Sequence, residues 1–64
     1  MRDAQPALRV LIADDEAPAR RQLRRVLLAL PEVELVGEAG DGLEALRLVE
    51  SLQPDVLVLD IQMP

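Results

Sequence analysis

The chain has 64 residues and a formal net charge of −5, with no cysteine, no histidine and no aromatic residue. That length allows one small domain, and a fold of this size buries only roughly 60% of the surface its unfolded chain exposes, so the core is marginal without a partner. The missing cysteines exclude disulfides and thiolate metal sites, the missing histidines remove the commonest zinc ligand and the usual neutral-pH base, and the acidic balance argues against nucleic-acid binding by this segment.

Nothing at the N-terminus has the pattern of a signal peptide, and no run approaches the roughly 20 apolar residues of a membrane span. The expectation is a cytoplasmic chain without a membrane partner. After a polar leader, residues 8–13 read as a strand that is apolar on both faces apart from Arg9, as in the centre of a parallel sheet. It ends abruptly on three carboxylates, Asp14, Asp15 and Glu16. Adjacent acids repel one another, so the arrangement is costly unless something positive sits there.

From Ala17 the period changes to that of a helix. Ala19, Leu23, Val26, Leu27 and Leu30 form an apolar face, and Arg20, Arg21, Arg24 and Arg25 form a solvated one. Pro18 suits the first turn and Pro31 marks the end. Glu16 reads as a first-turn acid favoured by the helix dipole. A second strand is predicted over 33–37. "GEAGDG" then leads into a second helix carried by Leu43, Ala45, Leu46, Leu48, Val49 and Leu52, with Asp41 and Glu44 as a capping box and the residue before Pro54 as its limit. A third strand, predicted over 55–59, also ends on a carboxylate, Asp60.

This alternation predicts an α/β fold with a parallel sheet and crossover helices. Right-handed crossovers put the helices on opposite faces if the third strand pairs with the first on the side away from the second, giving the order 2-1-3. The first and third strands then end at the same sheet edge. Asp14, Asp15 and Asp60 are therefore expected to converge where open α/β sheets bind ligands.

Three carboxylates with no soft ligand suit a hard cation such as Mg²⁺. A metal there can draw a phosphate and neutralise charge during in-line displacement, and an aspartate is a competent nucleophile for phosphorus. The cluster thus fits Mg²⁺-assisted phosphoryl transfer, with Asp60 as acceptor and Asp14 and Asp15 as metal binders.

The stretches "VLIADDEAPAR", "GEAGDGLEAL" and "PDVLVLDIQMP" together resemble the N-terminal half of a bacterial two-component response-regulator receiver domain. The resemblance runs from about residue 8 to residue 64 and assigns the chain, 1–64, to the N-terminal portion of such a domain. It implies a flavodoxin-like fold truncated to βαβαβ. It also implies Mg²⁺ bound by Asp14, Asp15, Asp60 and the backbone carbonyl of Gln62, and phosphorylation of Asp60 by a sensor histidine kinase. By the same resemblance Ala17, Arg20 and Arg21 meet that kinase. The wording "DDEAPAR" and "LDIQMP" is most similar to receivers of the LytR/AlgR type, a family that usually carries a C-terminal DNA-binding domain. The switch Ser/Thr and the phosphate-contacting lysine of the family lie after its fourth and fifth strands, and this sequence contains neither threonine nor lysine.

Two other readings compete. Gly37, Gly40 and Gly42 precede Asp60 by about 20 residues, as in a dinucleotide-binding βαβ unit, but they give G-x-x-G-x-G rather than G-x-G-x-x-G and leave the acidic pair unexplained. A catalytically silent interaction fragment is the other. Without a fourth strand, the third becomes an exposed apolar edge, which predicts self-association through that strand or partial unfolding.

Overall fold

The computed structural model describes residues 7–59. Its elements are β1 (Leu8–Ala13), α1 (Ala17–Leu28), β2 (Val33–Ala39), α2 (Gly42–Leu52) and β3 (Val56–Leu59). The sheet is parallel in the order β2-β1-β3, as the crossover argument predicts. β1 runs over the predicted residues and forms the core: Leu11 and Ile12 are wholly buried and Val10 nearly so.

The two helices lie on opposite faces. Along a strand successive side chains alternate between faces. Glu38 of β2 meets arginines of α1, whereas its neighbours Gly37 and Ala39 lie against α2. On the α2 side, Ala13, Ala39 and Ala45 pack together with Leu48 over them. Three alanines in contact let the first turn of α2 approach the sheet closely, beside the C-terminal end of β1.

Several boundaries differ from the sequence expectation. β2 continues through Glu38 and Ala39, two residues past the predicted end, because the charge of Glu38 is met by Arg20 and Arg24. The β1–β2 register shifts between Val10 and Leu11, where Leu35 and Gly37 are consecutive partners and Val36 is the extra residue. β3 begins one residue late. Asp55 is instead a clasp on β1: its N–H donates to the Arg9 carbonyl at 2.8 Å and its Oδ2 accepts the Arg9 N–H at 2.9 Å. The Arg9 side chain in turn donates to the Gln53 carbonyl, and Gln53 closes α2 with a left-handed φ of 49°, as the limit before Pro54 requires.

α1 ends at Leu28, and the N–H groups of Ala29 and Leu30 fall back to the carbonyls of Val26 and Leu27. Leu30 therefore belongs to the turn rather than to the apolar face. Val26, expected on that face, is 57% exposed, since α1 rests on the sheet by a narrower stripe and Val26 lies in an open groove with Ala19, Gln22 and Leu23. The capping box at α2 closes differently too. Asp41 caps the Glu44 N–H at 2.8 Å, but Glu44 reaches back past Asp41 to the Gly40 N–H at 2.9 Å. Among the described residues no helix is long and apolar enough to cross a membrane.

Candidate functional site

The acids after β1 have unequal surroundings. Asp14 is 3% exposed and Asp15 is exposed. The Asp14 N–H continues the sheet by donating to the Ala39 carbonyl at 3.0 Å, so the residue is held at the end of β1 beside β2. Its Oδ1 accepts the Glu16 N–H at 2.8 Å, an Asx-type turn that bends the chain into α1. Its Oδ2 is buried and meets no hydrogen-bond partner among the described residues. A buried carboxylate oxygen in that state is costly unless a cation or donor faces it.

One oxygen of this side chain thus turns the backbone into α1, and the other has no partner among the described residues. Glu16 itself is the N-cap residue of α1, outside the first turn, and its side chain makes no capping bond. Pro18 falls in the first turn, as expected.

β1 and β3 pair in parallel through Val10–Val56, Leu11–Leu57, Ile12–Val58 and Ala13–Leu59. The strand that carries Asp14 and Asp15 at its end and the strand that precedes Asp60 therefore finish level with each other. Asp60 and Gln62, both assigned to the site from the sequence, lie outside the described residues. Among the described residues no three acidic side chains gather into a cluster able to hold a metal ion. What β1 supplies is the pair, with one buried oxygen open.

The arginines are not one solvated face. Arg21 and Arg25 are exposed, but Arg20 and Arg24, one turn apart, both reach Glu38 of β2. Arg20 Nε lies 3.5 Å from Glu38 Oε1 and Arg24 NH1 lies 3.0 Å from Oε2. Arg20 NH1 also donates to the Asp14 backbone carbonyl at 2.7 Å. Sequence reasoning missed Glu38. The available signal was a carboxylate between two small residues, facing arginines at i and i+4 on a helix.

The glycines do not form a phosphate loop. Gly37 sits inside β2, Gly42 opens α2, and no described glycine has a positive φ. A Cβ on Gly37 would stand 3.0 Å from Leu52 Cδ1 and 3.1 Å from Leu11 Cδ1, so its role is close helix–strand approach.

The model of the response regulator receiver domain matches residues 10–64. A protein-glutamate methylesterase/protein-glutamine glutaminase of Pyrococcus abyssi is 46% identical over 57 residues, which are 89% of this chain and 16% of that protein. The transcriptional regulatory protein BtsR of Salmonella typhimurium is 51% identical over 57 residues, 89% of this chain and 24% of that protein. Among solved structures, the response regulator domain of Thermotoga maritima CheB superposes with a TM-score of 0.83 at 43% identity, covering 91% of this chain and 43% of that one. A signal receiver domain from Mycobacterium tuberculosis gives a TM-score of 0.86 at 40% identity, covering 94% and 48%. The chain thus spans less than half of each relative named. With a family match across most of its length, the same strand order and an acidic pair at the end of its central strand, this chain belongs to the receiver domains of two-component response regulators.

Proposed function

We propose that the unit accepts a phosphoryl group on Asp60 from a sensor histidine kinase, with Mg²⁺ held by Asp14, Asp15, Asp60 and the Gln62 carbonyl. The observation that carries this reading is the level finish of β1 and β3, with Ala13 and Leu59 as register partners and an acid following each. The buried Oδ2 of Asp14, without a partner among the described residues, fits a hard cation. Bound there, Mg²⁺ supplies neutralisation of phosphate charge. A carboxylate oxygen of Asp60 attacks phosphorus, a P–O bond forms as the P–N bond of phosphohistidine breaks, and the departing imidazole keeps the electron pair and takes up a proton. In this reading Asp14 turns the chain and offers one oxygen to the cation, while exposed Asp15 offers a second group from the solvent side.

Ala17 and Arg21 are exposed at the start of α1 and suit contact with the kinase. Arg20, also assigned there from the sequence, has its guanidinium turned inward to Asp14 and Glu38. The reading places residues 1–64 in the N-terminal portion of a cytoplasmic receiver that signals rather than catalyses a turnover of its own. The relatives divide between methylesterases and transcriptional regulators. That division does not favour the LytR/AlgR type, or a DNA-binding output, over another.

The test is a Mg²⁺ titration followed by backbone amide shifts. Shifts are expected to concentrate at 13–16, and Asp14→Asn, which keeps an oxygen for the Glu16 N–H, is expected to fold and to weaken binding by about tenfold or more. Shifts spread evenly along the chain would remove the assignment.

The same reading includes a second copy of the chain as a partner when the 64 residues stand alone. β3 is then an edge strand, and Leu57 and Leu59 are 39% and 55% exposed. Association through β3 is expected in sedimentation, and Val56→Glu should reduce it while Arg25→Glu should not. A compact monomer with a cooperative melt is the contrary result.

A further inference from the structure

Asp14 is held at three points. Its N–H is taken by the Ala39 carbonyl and its Oδ1 by the Glu16 N–H, while its backbone carbonyl accepts from the Arg20 guanidinium at 2.7 Å. That guanidinium is anchored in turn by Glu38, whose other oxygen is occupied by Arg24. It also lies over Gly40, where a Cβ would stand 3.5 Å from NH1. The only polar atom of Asp14 left without a partner among the described residues is Oδ2.

A positive group beside a cation site should, by charge alone, weaken cation binding. Its compensating effect must be geometric. The Asp14 carbonyl lies in the peptide plane that joins Asp14 to Asp15, so fixing it fixes the backbone from which both carboxylates project. A planar fork holds a carbonyl and a carboxylate at a fixed angle to each other, whereas an ammonium on a flexible stem sets no such angle.

We propose that Arg20 is a positioning residue for the acidic pair, with Glu38 as its anchor and Arg24 as the brace of that anchor. It acts through the Asp14–Asp15 peptide, holding the two carboxylates at the spacing the cation requires. The inference rests on the reading of Asp14 and Asp15 as cation ligands.

The experiment measures Mg²⁺ affinity by amide shifts, alongside the metal-free melting temperature, in the full chain and in Arg20→Gln, Arg20→Lys, Arg21→Gln, Arg24→Gln and Asp14→Asn. Arg20→Gln is expected to weaken Mg²⁺ binding by about tenfold, in the range for partners that orient metal ligands, although it removes a positive charge. Arg20→Lys, which keeps the charge, is expected to weaken binding severalfold, and it decides alone if Arg20→Gln does not fold. Arg21→Gln, outside this network, is expected to stay within twofold of the parent, and Arg24→Gln, which removes only the brace, to lose less than Arg20→Gln. Tighter binding in Arg20→Gln with parental binding in Arg20→Lys would show an effect of charge and overturn the proposal. Equal losses in Arg20→Gln and Arg24→Gln that track the melting temperature would show general destabilisation and also overturn it. Parental affinity in Asp14→Asn would instead overturn the cation reading itself, and the role of Arg20 with it.

Discussion

On the proposed reading, Asp60→Asn is expected to reduce phosphoryl incorporation from a phosphohistidine donor to background in a receiver unit that contains this chain. The amide that replaces the carboxylate delocalises its lone pair and carries no negative charge, so the attacking group is lost outright rather than weakened. Asp15→Asn is a graded counterpart: on the proposed reading it removes a cation ligand from an exposed position and should slow transfer without abolishing it. The measurement is acid-labile, hydroxylamine-sensitive label after a fixed exposure to donor. Undiminished label in Asp60→Asn would move the acceptor elsewhere, and equal loss in both variants would mean that Asp15 does more than hold a cation.

Gly37→Val is expected to cost a large part of the stability of the fold. A single Cβ there already meets Leu52 at 3.0 Å and Leu11 at 3.1 Å, and valine adds two methyl groups beyond it. Leu52 is half-buried and can turn aside, but Leu11 is wholly buried at the centre of the sheet and cannot. Overpacking of this kind costs about 1–3 kcal/mol. A core this small supplies a net stability of only about 3–5 kcal/mol. Gly42→Ala is the contrast. Nothing lies within 4 Å of the added carbon, and the first helical position gains about 0.5 kcal/mol from the better helix former. Urea midpoints should therefore move in opposite directions for the two glycines. Equal and small shifts would mean that α2 is not seated on β2 as described.

What the sequence made legible was local or periodic. The bounds of β1, the start of each helix, the cap at Asp41 and the close before Pro54 all follow from residues within a few positions of the feature they predict. The strand order needed one further step, the handedness of crossovers, and was legible too. The late end of β2 was not, because Glu38 becomes acceptable in a strand only through Arg20 and Arg24, which lie 18 and 14 positions away. The late start of β3 was hidden for a similar reason: Asp55 uses its side chain to mimic a strand partner for Arg9. Val36 gave no local signal of the register shift, since either phase of an apolar run looks alike until it is paired. For the site, a single acid at a strand end reads more readily as a cap than as a ligand, and only the convergence of the three motifs reverses that for Asp14 and Asp15. Only the packing reveals that Asp14 turns the chain with one oxygen and leaves the other buried, without a partner among the described residues.

The strand order carries a consequence for how the chain comes into being. β1 is synthesised first, yet it is the central strand and needs both later strands as partners. β2 becomes available after about half the interval that separates β1 from β3, which the Arg9–Asp55 bond spans with 46 residues. Loop closure hardly distinguishes the two partners, since doubling a loop costs only about 0.6 kcal/mol. Order of emergence from the ribosome therefore decides the sequence of pairing: β1 joins β2 first and waits with its other edge, including Leu11 and Ile12, open. At roughly 5–20 residues per second that wait lasts a second or more. The most deeply buried of the described strands is thus also the one presented longest to chaperones and to neighbouring nascent chains.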